Sequence, residues 1–188
     1  ILTSLSTNYS RRNKDVRLYE IANIYLPKEL PLKDLPDERE QFTLGFYGEG
    51  DFYTMKGVVE EFLESLNMLE HMQLNPRETL YEGIQGRPYL HPGRQAEIQY
   101  RDPKTEELVK IGYLGELHPL VAANYGIKDR VYLAVIDIPS VLPYATFERR
   151  YHGIARFPAL SRDLSMVVPR EILAGEIEQT IRNCAGEY

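Results

Sequence analysis

The sequence predicts an α+β fold, a mostly antiparallel sheet with helices on one face. Three observations carry this. Alternating segments rich in β-branched and aromatic residues outnumber helical patterns along the 188 residues, and neighbouring ones are close enough to pair locally. One long segment, 52–66, repeats apolar residues at helical spacing. "RVYLAVIDI" is apolar almost without interruption, the pattern of a central strand covered on both faces.

The elements follow in order. "ILTSLSTNYSRRN" spaces Ile1, Leu2, Leu5 and Tyr9 as a helix and ends in a basic, Asn-containing stop. "VRLYEIANIYL" alternates, so Val16–Leu26 is expected as a strand. "PKELPLKDLPDERE" is a solvated, proline-rich loop, and "QFTLGFYGEG" a second strand whose glycines mark its exit. Asp51 is the expected N-cap of a helix with Phe52, Met55, Val59, Phe62, Leu63 and Leu66 on one face and Glu60, Glu61 and Glu64 on the other. Such a stripe is core or subunit interface. Met68–Leu80 reads as a strand followed by a turn. "RQAEIQY" and "KIGYLGEL" flank "RDPKTEEL" as a hairpin. "HPLVAANYG" is a short helix with Pro119 early and Gly126 at its end.

Composition shifts after "PSVLPYATFERRYHG", which divides the chain into a first domain, 1–148, and a second unit, 149–188. There "ARFPALSRDLSMVVP" is expected to supply a loop and a strand, and "REILAGEIEQTIRNCAG" a helix with Ile172, Ile177 and Ile181 inward. Both termini cut across helical patterns, so the chain is expected to be a fragment.

The bulk composition is 43% hydrophobic and 27% charged, with a net charge of −6 that argues against a nucleic-acid-binding surface over the whole chain. The charge is uneven: residues 149–188 carry six arginines against five carboxylates, which leaves the remainder near −7. If a polyanion is bound anywhere, the C-terminal end is the expected place. A single cysteine, Cys184, allows no internal disulfide, and no apolar run approaches the roughly 18 residues of a membrane span. A cytoplasmic protein with no membrane partner is the expectation.

Most candidate chemistry fails on spacing. His71, His91, His118 and His152 form no metal-binding pattern; His91, His118 and Glu116 could converge beside paired strands, but "HPG" and "HP" read better as turn and helix-start punctuation. Cys184 lies near a helix C-terminus, where the dipole disfavours a thiolate. "GEG" at Gly48–Gly50 lacks the rest of a phosphate loop, and Glu60–Glu61 sit on a solvated face. No catalytic or metal residue is assigned.

Five segments in this order, "NYSRRNKDVRLYEIANIYL", "DFYTMKGVVEEFLESL", "YLHPGRQAEI", "IGYLGELHP" and "FPALSRDLS", together resemble the C-terminal part of the bacterial phenylalanyl-tRNA synthetase β subunit. The resemblance covers practically the whole chain. It implies a class II aminoacyl-tRNA synthetase-like core followed by the start of a ferredoxin-like anticodon-binding domain. It also implies an α2β2 enzyme that joins phenylalanine to tRNA(Phe) using ATP and Mg²⁺, with catalysis in the α subunit and no cofactor on this fragment.

The same likeness locates what is missing. Asn23 and Leu26 stand where the catalytic subunit's strand carries a glycine–arginine start and an ATP-gripping arginine, and Pro139 stands where a glycine-rich strand should pass into a helix. "LHPGRQAEI" resembles a substrate-lining strand without its partners, so Gly93 is expected to shape a turn, and Arg94 and Glu97 to pair with neighbours or with the other subunit. Phe52, Met55, Val59, Phe62, His91, Gly93, Arg94, Glu97, Glu116 and His118 are the expected structural or interface residues; Arg156, Arg162 and Arg170 are the candidates for tRNA contact. Arg162 and Asp163 could equally form a structural ion pair. Exposed apolar surface in the absence of α is expected to drive self-association. Two rivals remain, a stand-alone synthetase-like regulator that binds a small metabolite and a hydrolase using His91 or His118.

Overall fold

A computed structural model describes residues 1–75, 87–149, 151, 158 and 160–185. The chain divides into two compact units, Ile1–Arg149 and Arg150–Tyr188.

The first unit is built on six antiparallel strands: β1 (Val16–Leu26), β2 (Asp37–Tyr47), β3 (Met72–Asn75), β4 (Leu90–Arg101), β5 (Leu108–Leu117) and β6 (Val131–Asp137). They lie in the order β1-β2-β6-β5-β4-β3. Local hairpins make β1–β2 and β4–β5, and β6 returns between them to join the two pairs. Six of its seven residues are buried because both faces are covered, which is why its sequence shows no polar alternation. The helices are α1 (Leu2–Ser10), α2 (Phe52–Ser65), α3 (Pro119–Asn124) and the single turn α4 (Ile138–Val141).

Helices cover both faces of the sheet, not one as expected. Met55, Val59 and Leu63 of α2 pack on Ala96, Ile98, Tyr100, Tyr132, Ala134 and Ile136. Leu5 of α1 and Ala122 of α3 pack with Leu117, Val131 and Leu133 on the opposite face. The double apolar character of β6 requires this, since a bare second face would leave Val131 and Leu133 in water. The apolar stripe of α2 is accordingly core: Met55, Val59 and Leu63 are buried, and Phe52 and Phe62 half-buried against the same cluster. Asp51 caps α2 in a reciprocal box with Thr54.

Local differences have local causes. β2 starts at Asp37, so "DERE" is strand because it completes the ladder with β1 up to Leu26. The segment "HPG" lies within β4, not in a turn. An irregularity in the β4–β5 register between Leu90 and Gln95 absorbs Pro92, which cannot donate to the ladder, and the turn falls just before, with Leu90 N–H donating to Arg87 O. Pro139 is accommodated in the first turn of α4, where its missing N–H costs nothing. The turn expected after β3 falls on residues outside those described.

In the second unit, α5 (Ala174–Ala185) forms where a helix was expected. Residues 160–169 form no strand, and α5 has no buried residue; Ile172 and Ile181 are exposed and Ile177 half-buried. The reason is the same for both corrections. Among the described residues of this unit, 160–169 have no strand to pair with, and α5 has no apolar surface on which to bury its isoleucines.

A charge-balanced cleft on the sheet

Along β4, Ala96, Ile98 and Tyr100 face α2, so Gln95, Glu97 and Gln99 face the other way. At the Val131 end of β6 that second face is covered by α1 and α3. At the Asp137 end it is open, and Gln41, Arg87, Glu97, Lys110, Gly112, Tyr113, Val135 and Asp137 line a cleft of about 200 Å³.

The cations of this cleft are matched by carboxylates. Glu97, buried on its strand, lies 3.2 Å from Lys110 Nζ and 3.8 Å from Arg87 Nη2, and accepts a 3.2 Å hydrogen bond from Gln99 Nε2. Arg87 also stacks its guanidinium 3.9 Å from the ring centre of Tyr113. Tyr89 donates a 2.8 Å hydrogen bond to the Tyr113 phenol, whose pKa is pushed well above the usual tyrosine range, chiefly by burial. At the other side Arg39 forks onto Asp137, with Nε to Oδ1 at 2.8 Å and Nη2 to Oδ2 at 2.5 Å. Asp137 also accepts from Ser140 N–H at 3.0 Å, and the Arg39 hydrogen bond holds its carboxyl below the usual range. Two cations and two anions line the cleft; Arg39, which shares Asp137, adds a third cation, and Asp37 at 3.7 Å from Arg39 Nη1 offsets it. The walls are polar rather than aliphatic; what the cleft lacks is surplus positive charge.

The residues singled out in the sequence fall in several places. Arg94 forks onto Glu116, with Nε to Oε2 at 2.5 Å and Nη2 to Oε1 at 2.9 Å, while Arg130 Nε lies 4.0 Å from the same carboxylate. Glu97 belongs to the cleft, so Arg94 and Glu97 serve different pairs. His91 Nδ1 accepts the Gly93 N–H at 3.1 Å, and His118 Nδ1 accepts the Leu120 N–H at 3.2 Å as the N-cap of α3. Each imidazole thus spends one ring nitrogen on the backbone. Among the described residues no group of histidine, cysteine and carboxylate side chains converges as a metal site, and no helix is long and apolar enough to cross a membrane.

At the place where the resemblance puts an ATP-gripping pair, Asn23 donates to Glu38 at 2.5 Å and Leu26 is exposed opposite Asp37 at the end of the β1–β2 ladder. In the second unit Arg162 donates to the neighbouring Ser161 carbonyl and does not pair with Asp163; Arg170 is exposed in a turn; Arg156 lies outside the described residues. Sequence reasoning missed Arg39, Arg87, Lys110, Tyr113 and Asp137. The signal that could have found the cleft is the Gln-x-Glu-x-Gln alternation of β4, a strand with one apolar and one polar yet buried face.

Comparison with known proteins agrees with the motifs. The family described as "Phenylalanyl tRNA synthetase beta chain CLM domain" matches residues 1–138. The chain is 34% identical over 187 residues to a phenylalanine–tRNA ligase β subunit of Clostridium tetani, covering 100% of this chain and 22% of that protein. It is 34% identical over 186 residues to the β subunit of Clostridium acetobutylicum, at 99% and 22% coverage. Against that of Bacillus subtilis it is 29% identical over 197 residues, at 100% and 23%. The chain spans about a fifth of the length of these relatives. With the family match covering β1 to β6 and the start of α4, the chain belongs to the phenylalanyl-tRNA synthetase β-chain CLM-domain family.

Proposed function

We propose that the chain is a non-catalytic, class II synthetase-like segment of a cytoplasmic phenylalanine–tRNA ligase β subunit, and that it serves assembly with an α subunit into α2β2. In this reading α joins phenylalanine to tRNA(Phe) with ATP and Mg²⁺, this segment binds neither, and 149–188 opens a ferredoxin-like domain whose arginines approach tRNA.

The observation that carries the reading is the charge balance of the cleft. Adenylate formation concentrates negative charge on a phosphate, and a site that favours it aims uncommitted guanidinium groups there. Here Arg87 and Lys110 are held by Glu97, and Arg39 by Asp137. A triphosphate would have to strip carboxylates from each. The support for an assembly role is the outer edge of the sheet: Tyr19, Ile21 and Tyr25 of β1 are 72%, 57% and 61% exposed on one face of an edge strand. An exposed apolar row on an edge is a surface that a partner covers.

Co-expression with a phenylalanine–tRNA ligase α subunit tests this. The two chains are expected to co-purify, and calorimetric titration of this chain with Mg·ATP to give no heat of binding. Failure to co-purify, or saturable Mg·ATP binding by this chain alone, refutes the reading.

A further inference from the structure

The end of the first unit is fastened to the C-terminal end of α2 by three hydrogen bonds of one side chain, beside a backbone bond and a 3.5 Å contact of Arg149 Nη2 with Ser65 O. Helix α2 closes with Met68 N–H on Leu63 O at 2.8 Å and Asn67 N–H on Glu64 O at 2.9 Å, the paired bonds of a left-handed C-terminal cap. Asn67 takes the required positive φ of 56°. Glycine is the commoner residue there, and asparagine tolerates the conformation less readily. The amide of Asn67 has further partners. Nδ2 donates to Thr146 O at 2.8 Å and to Glu148 O at 2.9 Å, and Oδ1 accepts from Arg149 Nη1 at 3.2 Å. The neighbouring Leu66 carbonyl accepts the Thr146 N–H at 3.0 Å.

We propose that Asn67 is a latch that fastens residues 146–149 to the C-terminal end of α2, and so fixes the point at which the chain leaves the first unit. An asparagine suits the place because it supplies both donors, for two carbonyls, and an acceptor, for a guanidinium. Arg149 adds a cation at a helix C-terminus, where the dipole favours it. Upstream, Tyr144 is held independently, with its ring 4.7 Å from that of Tyr100 and its N–H on Val141 O. Opening the latch therefore frees only the last four residues. Four residues extend the free tether by up to about 14 Å.

Two substitutions separate the side-chain bonds from the turn. Asn67→Gly keeps the left-handed cap, without strain, and deletes every side-chain contact. Asn67→Asp keeps the shape and the acceptor for Arg149 but removes both donors. Hydrogen exchange of the full chain, read by mass spectrometry, is expected to show the Thr146–Arg149 amides about ten-fold faster in both variants, with β2 and β6 unchanged. Exchange at 146–149 as slow in Asn67→Gly as in the unmodified chain overturns the proposal. A uniform rise across β2, β6 and 146–149 also overturns it, since Asn67 would then merely stabilise the unit as a whole.

Discussion

Replacing Arg94 by alanine tests whether the strand that resembles a substrate-lining strand now has a structural task. Glu116, the partner of Arg94, is 3% exposed along its side chain, whereas Arg94 is 40% exposed. A fully buried pair broken on one side costs about 3–5 kcal/mol, because a charge is left behind without compensation. A fully exposed pair is worth about 1 kcal/mol or less. Here the abandoned carboxylate is the buried partner, but Arg130 at 4.0 Å remains to offset it in part. Arg94→Ala should therefore destabilise the chain by about 2–3 kcal/mol. For a domain of this size that lowers Tm by roughly 5–10 °C. The assay is urea denaturation, with the slope unchanged and the midpoint shifted. Arg94→Lys should fall between, since an ammonium cannot fork onto both oxygens. Combining Arg94→Ala with Glu116→Gln should cost clearly less than the two changes added, as expected for one shared interaction. If Arg94→Ala shifts stability by less than about 0.5 kcal/mol, or the double variant is additive, the ion pair is not what holds these strands.

Two further outcomes follow from the geometry. Gly112→Ala would place a Cβ 2.3 Å from the Val135 carbonyl oxygen, so the β5–β6 ladder must move, and urea denaturation should show a loss of about 3 kcal/mol. Asp137, held below its usual 3.8 mainly by Arg39, stabilises the fold fully above that value, and the stabilisation disappears as pH falls below it through the depressed native value. The stability difference between the unmodified chain and Asp137→Asn should thus be constant at neutral pH and shrink toward zero in acid, measured by thermal unfolding from pH 7 to pH 2.

The strands and the long helix were legible because their signals are local. The alternation of 16–26 reproduces β1, Asp51 caps α2, and the continuous apolar run of β6 correctly placed it at the centre of the sheet. That same run also implied cover on both faces, so the expectation of helices on one face conflicted with a reading already made. Helix α1, within the helical pattern of residues 1–13, is part of that second cover, with Leu5 fully buried. The second unit went astray for a different reason. "LSMVVP" has strand propensity, but propensity without a neighbouring strand leaves backbone groups unsatisfied, and no described segment pairs with it.

The cleft is where sequence reasoning went furthest wrong and where the correction matters most. An arginine in a sequence carries no information about whether its charge is free. Asp137 lies 98 residues from Arg39 and becomes its partner only through the antiparallel register that sets Gln41 against Asp137. Lys110 meets Glu97 because Gln99 pairs with Lys110 across β4 and β5, so the same register places Glu97 beneath it. Looking for missing arginines at Asn23 and Leu26 therefore passed over a cleft elsewhere on the sheet whose chemistry is polar and self-neutralised. A cleft whose cations are held by carboxylates differs from one without cations, because single changes can uncover charge in the first. Glu97→Gln removes a carboxylate that lies 3.8 Å from Arg87 and 3.2 Å from Lys110, so inorganic phosphate should bind this variant more tightly than the unmodified chain in calorimetric titration, and equal binding by the two would refute the charge argument.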